Sequence, residues 1–214
     1  MTDRLEKIFS VIPSCEVFAD VGCDHGYISY AMLKRKKCNK VIISDVSKEC
    51  LKKAQNLLCD YIEIGQATAV VSDGFDNVEE CDVALIAGMG GKEITEILKK
   101  SQKLPNTLVL QPMKNIPEVR KTLIELGYKI QSDYIFKAEK KFYDLIVCTK
   151  GEDSLTPQEI EFGRNNLLEK SPDFIEYVRC SVDKLKQYSS NPRIGLEDRK
   201  NLEKQIENLE KCIR

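Results

Sequence analysis

The stretch Glu16-Val-Phe-Ala-Asp-Val-Gly-Cys-Asp-His-Gly-Tyr27 constrains the fold of this chain more than any other. A short apolar run, Val17 to Val21, carries Asp20 and gives out at Gly22, Asp24 and Gly26. From Tyr27 to Leu33 the apolar spacing turns from strand-like to helical. A strand, a glycine turn and a helix in that order build a cradle for a nucleotide-like ligand. Glycine lets the backbone come close to the ligand, and the helix N-terminus offers free N–H groups. The dinucleotide spacing G-x-G-x-x-G would need glycines where Asp24 and Tyr27 stand, so it is not met. The spacing acidic-x-Gly-x-x-x-Gly is met, by Asp20, Gly22 and Gly26.

Three further runs extend the pattern. Lys40 to Asp45 is an apolar strand with an acidic end, 25 residues after Asp20. A carboxylate there can accept both hydroxyls of a ribose. The competing role, capping the next helix, can be filled by Ser47 equally well. Ala67-Thr-Ala-Val-Val-Ser-Asp-Gly74 reads as a third strand closed by Asp73-Gly74, where Asp73 either accepts an adenine N–H or makes a simple turn. Cys81-Asp-Val-Ala-Leu-Ile-Ala-Gly-Met-Gly-Gly91 predicts a buried fourth strand, then a helix from Glu93 to Lys100. Gly88, Gly90 and Gly91 between them mark a loop whose backbone must stay thin, at the sheet edge where open α/β folds bind ligands.

Thr107 to Gln111 reads as a fifth strand stopped by Pro112, and Ile116 to Leu126 as a helix ended by Gly127. Tyr128 to Phe136 and Phe142 to Lys150 alternate as a hairpin does. Gly, Ser, Thr and Pro crowd residues 151–157, which predicts a boundary there: an α/β domain over 1–152 and a helical unit over 153–214. In the latter, Ile175, Val178, Val182 and Leu185 recur at helical steps, as do Leu202, Ile206, Leu209 and Ile213. The break Asn191-Pro-Arg-Ile-Gly195 suits two antiparallel helices whose stripes pack on each other, so a monomer is expected.

Composition excludes several classes. No apolar run approaches the roughly 20 residues that cross a bilayer, and the charged start Met1 to Lys7 reads as an amphipathic helix. The nine cysteines are scattered, odd in number, and accompanied by a single histidine. That points to reduced thiols in a cytoplasm, with neither a disulfide framework nor a metal site. With a net charge of −1, any attraction to nucleic acid has to be local. The candidate basic groups are Lys34, Arg35 and Lys37 with Lys40, then Lys99, Lys100 and Lys103, and Lys137, Lys140 and Lys141; solvated helix ends are the plainer reading of each.

Together these motifs resemble the bacterial tRNA (adenine-N1)-methyltransferases that act on adenine 22. Asp20-Val-Gly-Cys-Asp-His-Gly-Tyr27 is similar to that family's D-I-G-[ST]-D-H-x-Y, Ile86-Ala-Gly-Met-Gly-Gly91 to its I-A-G-M-G-G, and Leu110-Gln-Pro112 to its L-Q-P-N. Cys23 stands where the family has Ser or Thr, and Met113 where it has Asn, so Met113 cannot supply an amide to the target base. The resemblance implies a Rossmann-like class I methyltransferase sheet, parallel strands closed by an antiparallel hairpin, with a small C-terminal coiled-coil domain. It implies S-adenosylmethionine as cofactor and tRNA as partner, without metal or membrane. The cofactor residues it implies are Asp20, Gly22, Cys23 and Gly26 of the first turn, Asp45 and Val46, Asp73 and Gly74, and Ala87, Gly88 and Met89. The RNA-binding residues expected are Lys34, Arg35, Lys37, Lys140 and Lys141.

Adenine N1 has a free lone pair, so the chemistry is mainly positioning, and a carboxylate helps by meeting the developing cation or an N6 proton. Asp24 occupies a glycine position of the generic methyltransferase turn and is the expected catalytic carboxylate. His25 and Tyr27 are candidates for orienting Asp24 or stacking, against structural roles for both. The alternatives are a methyltransferase with another acceptor, or a non-catalytic module that binds RNA or a partner. An NAD-linked oxidoreductase is disfavoured by the missing dinucleotide glycines.

Overall fold

The computed structural model describes residues 1–191 and 194–214. Strands β1 (Val17–Val21), β2 (Lys40–Asp45), β3 (Ala67–Val71), β4 (Val83–Ala87) and β5 (Thr107–Gln111) lie parallel. Strands β6 (Tyr128–Ala138) and β7 (Lys141–Lys150) form the hairpin, with β7 antiparallel to β5. All seven make one sheet in the order β3-β2-β1-β4-β5-β7-β6. The order reverses between β1 and β4, and an open α/β sheet has its crevice at that reversal.

Both faces of the sheet are covered, which is why β4 and the Leu108–Leu110 middle of β5 read as unbroken apolar runs. Phe18, Val41, Leu85 and Val109 point to the face packed by α1 (Asp3–Val11), α2 (Tyr27–Lys34), α3 (Lys48–Leu57) and α4 (Cys59–Glu63). Ala19, Ile42, Ile86 and Leu108 point to the other, packed by α5 (Gly91–Lys100) and α6 (Ile116–Glu125).

Beyond Gly151 the chain is helical: α7 (Pro157–Phe162), α8 (Arg164–Glu169), α9 (Pro172–Ser189) and α10 (Leu196–Ile213). Of the predicted stripes of α9 and α10, Val178, Val182, Ile206, Leu209 and Ile213 join a core with Phe174, Cys212 and Ile135 of β6, whereas Ile175, Leu185 and Leu202 are not part of it. The break expected at 191–195 contains Pro192 and Arg193, which lie outside the described residues. The short helices α4, α7 and α8 were not anticipated, although Thr156 and Glu159 make a capping box at the start of α7.

The segment beyond Gly151 closes the edge of the sheet with side chains. The N–H groups of Ile130, Asp133, Ile135 and Lys137 donate to Asp153 Oδ2 (3.1 Å), Asn165 Oδ1 (3.0 Å), Asn166 Oδ1 (2.8 Å) and Asp173 Oδ2 (3.0 Å). The spacing changes from three to two because the β6–β7 register shifts between Ile130 and Ser132. Beneath them Arg120, fully buried, forks onto Asp133 at 2.6 and 2.9 Å and also donates to Ile160 O and Glu161 O. Among the described residues no helix is long and apolar enough to cross a membrane.

Candidate active site

The first turn is held to its neighbour strand before any ligand is considered. Gly22 and Cys23 both donate N–H groups to Ser44 O, at 2.8 and 3.0 Å. Gly26 caps α2 at a φ of 70°, and a Cβ there would stand 2.9 Å from Ala54 Cβ, so glycine is needed for α2 and α3 to approach. Asp20 is buried at the end of β1, and Ser29 of α2 donates its hydroxyl to Asp20 Oδ2 at 2.6 Å. Burial pushes the Asp20 carboxyl from 3.8 up to about 6. Burial also pushes the Cys23 thiol far up, which keeps it a neutral wall group.

Two cavities open over the switch point. The larger, about 520 Å³, is edged by Asp20, Cys23, Asp24, His25, Tyr27, Ala87 and Gly88, with Arg4, Glu139 and Tyr143 closing it from the far side. The smaller, about 340 Å³, is edged by Asp45, Val46, Asp73, Gly74, Glu93 and Ile97. They share Gly22 and Met89. The Met89 thioether lies over Gly22, with its methyl 2.0 Å from where a Cβ would be. A single groove is thus divided by one flexible side chain. Of the residues expected to hold a cofactor, only Gly26 lines neither cavity; it sits beneath the turn.

The carboxylates differ in what engages them. Asp45 takes the N–H of Ser47 on Oδ1 (2.8 Å) and the N–H of Asp24 on Oδ2 (3.3 Å). Ser47 itself caps α3 through Cys50 N–H, so Asp45 is free of the capping role and stays beside the smaller cavity. Lys100 Nζ bridges Asp73 and Asp76 at 2.9 and 2.6 Å. Asp24 is exposed, sits in the left-handed region at φ 47°, and pairs its Oδ2 with His25 Nδ1 at 2.7 Å. His25 in turn stacks parallel to Tyr27, 5.5 Å between centroids, and Tyr27 is exposed to the cavity rather than buried in the core.

The floor of the site is two loops bonded side by side. Gly88 N–H donates to Gln111 O, Met113 N–H to Met89 O, and Gly91 N–H to Lys114 O. A Cβ on Gly91 would stand 2.3 Å from Lys114 O, so that glycine is needed for the approach. Met113 receives a Gln111 amide N–H on its sulfur at 3.5 Å.

The basic groups fall into two sets. Arg35 forks onto Glu6 at 2.7 and 2.9 Å and stacks on Phe9, while Lys37 Nζ donates to Phe9 O and Ile12 O. Both therefore latch α1 to the body of the domain. Lys34 lies over the Tyr30 ring. Lys140 and Lys141 stand at the β6–β7 turn, whose Glu139 reaches the larger cavity. The sequence reading missed Arg4, Ser29, Glu139 and Tyr143 altogether. Arg4 donates from Nε to Gln111 Oε1 at 2.9 Å, with Nη2 on the same oxygen, and its guanidinium lies 5.1 Å from the Tyr143 centroid. No local pattern announces such a contact, 107 residues apart. Among the described residues no cluster of three or more His, Cys, Asp or Glu is arranged to hold a metal ion.

Comparison with known proteins agrees with this geometry. A family model described as a methyltransferase domain matches residues 1–146. The tRNA (adenine(22)-N(1))-methyltransferase of Bacillus subtilis is 30% identical over 164 residues, which is 71% of this chain and 66% of that protein. A Streptococcus pneumoniae protein, provisionally named a tRNA (m1A22) methyltransferase, superposes over the whole of both chains with a TM-score of 0.93 at 25% identity. The same protein solved with S-adenosyl-L-methionine gives 0.90 at 25% identity, again over the whole of both chains. With the seven-stranded sheet, the switch-point groove and the matched domain in agreement, the chain belongs to the methyltransferase domain family, with tRNA (adenine(22)-N(1))-methyltransferases among its relatives.

Proposed function

We infer that this chain transfers a methyl group from S-adenosylmethionine to N1 of adenine 22 in tRNA. The observation that carries the reading is the divided groove at the switch point, edged by Asp45 and Asp73 on one side of Met89 and by Asp20 and Asp24 on the other. The residues present suit the cofactor. Asp45 offers acceptor oxygens for ribose hydroxyls, Asp73 and Gly74 border the place for the adenine, and Asp20 offers an acceptor to an ammonium. When bound, the cofactor supplies an electrophilic methyl group on a sulfonium.

The chain's own part is to orient, exclude water and balance charge. Cys23, Ala87 and Gly88 give the larger cavity a wall of small or neutral groups on which a base can rest. Asp24 stands at its mouth as the carboxylate that meets the cationic methyladenine or takes an N6 proton, and His25 holds one of its oxygens. Because N1 is a Watson–Crick atom, the adenine has to be unpaired to enter. Lys34, Lys140 and Lys141 are the cations proposed to meet the RNA phosphates. The reading takes residues 1–152 as the catalytic unit and 153–214 as a helical unit beside it, in a chain that works as a cytoplasmic monomer without metal.

The test is methyl transfer from labelled S-adenosylmethionine to a tRNA transcript, beside a second transcript changed only at adenine 22. Label on the first alone is expected. Label on both overturns the site assignment, and label on neither, with cofactor still bound, overturns the acceptor.

A further inference from the structure

We propose that the cleft between α7, α9 and α10 takes up one unstacked nucleobase of the tRNA, away from the adenine that is methylated. This rests on the reading of the chain as a tRNA methyltransferase, and it gives the helical unit a part in choosing the adenine. The cleft measures about 630 Å³, more than either part of the switch-point groove at about 520 and 340 Å³. Its lining is neutral and mixed. Gln158, Gln205 and Asn208 bring amides, Ser181 a hydroxyl, and Phe162 and Tyr177 aromatic surface. The three amides have no hydrogen-bond partner in the protein among the described residues. An amide sets a donor beside an acceptor, as the edge of a base does, and an aromatic face accepts any base by stacking.

Charge separates this cleft from a phosphate site. Glu161 is the one charged residue of its lining, and it is an anion. Two other clefts on α9 and α10 are edged by Lys186 together with Arg199 in one and with Arg179 and Arg214 in the other. A phosphate would find cations there and a carboxylate here, so a base rather than the backbone suits the neutral cleft. The walls are also held before any RNA arrives. Arg120 Nη1 donates to Ile160 O and Glu161 O at 3.0 and 3.1 Å, and Arg164 ties Glu159 to Asp153, each at 2.9 Å. The Tyr177 ring stands edge-on to Phe142 of β7, 5.6 Å between centroids. The cleft therefore keeps a fixed place relative to the groove, and a base seated in it sets which stretch of the tRNA reaches Asp24.

The measurement is steady-state methyl transfer by the full chain to tRNA transcripts that each lack one base, with the sugar and phosphate kept. The variants are the pair Gln205→Leu with Asn208→Leu on α10, and Gln158→Leu on α7, all at exposed positions. On intact tRNA the α10 pair should raise KM about tenfold, within the range of a lost base contact, and leave kcat within about twofold. Gln158→Leu should give part of the same loss from a separate helix. One abasic transcript should raise the wild-type KM by a similar factor and add nothing further in the α10 pair. The salt dependence of KM should keep its slope, because no phosphate contact is removed. Losses that add at every abasic position would overturn the proposal, as would a slope reduced by about one. An unchanged KM, which a pocket for a free nucleoside would give, would overturn it too. A wild-type chain that methylated no transcript would overturn the tRNA reading itself, which keeps the two failures distinguishable.

Discussion

Ser29 donates its hydroxyl to Asp20 Oδ2 across 2.6 Å, with both side chains shut away from water. That bond supports the carboxylate but does not offset its burial, which raises the Asp20 carboxyl from 3.8 to about 6. The folded chain therefore holds this proton more tightly than the unfolded chain. Stability falls as pH rises through that window, and the full cost is present above it. Asp20→Asn keeps an acceptor for Ser29 and removes the cost. Urea melts should show a gain on the order of 3 kcal/mol at about pH 8 and almost none at about pH 3. A gain of equal size at both pH values would refute the burial account.

Asp24→Asn isolates chemistry from backbone. Asparagine tolerates the left-handed conformation found at φ 47°, so the turn keeps its shape. Cofactor affinity should stay within about twofold while single-turnover methyl transfer drops by roughly a hundredfold or more. Unchanged turnover would remove Asp24 from the reaction.

The glycine loop separates into one essential position and one tolerant one. Gly91→Ala drives a Cβ against the carbonyl oxygen of Lys114, so the two floor loops must part. Gly90 has open space around its Cβ position and an ordinary φ of −67°. Gly90→Ala should melt within a degree or two of wild type and keep cofactor affinity, whereas Gly91→Ala should lose several degrees and most methyl transfer, as thermal melts and the transfer assay would show.

Arg120→Met would leave Asp133 and the nearby Asp144 without their cation in a buried setting. Burial already raises Asp144 to about 6 despite Arg120. Removing one partner of such a group costs about 3–5 kcal/mol, to be read as a shift in the urea midpoint without a change in slope.

Salt dependence should sort the cations. The double variant Lys140→Asn with Lys141→Gln should weaken tRNA binding and reduce the slope of log affinity against log salt by about one to two. Arg35→Gln should leave that slope alone and lower thermal stability instead, since Arg35 is committed to Glu6 and Phe9.

The strands from β1 to β5 were legible because buried parallel strands are short apolar runs between glycines, and the hairpin because its residues alternate. The acidic ends of β1 and β2, and Asp73 after β3, were legible because position alone brings them to the sheet's carboxyl edge. α4, α7 and α8 are of five or six residues, too short for a helical period to stand out. Arg35 and Lys37 read as a basic cluster because a charge run looks the same whether its partners are solvent, RNA or the carbonyls of α1. Arg4 and Ser29 gave no sign, since their partners are set by tertiary packing.

The side chains that take up the β6 N–H groups have a practical consequence. Asp153, Asn165, Asn166 and Asp173 all lie beyond residue 152. A catalytic fragment trimmed at that point would display a bare row of donors along a strand of 11 residues, with the apolar side chain of Ile135 uncovered beside it. Such a margin recruits other strands, and the fragment would pass from solution into aggregates through β6. The helical tail works as the selvedge that keeps the sheet from unravelling into its neighbours.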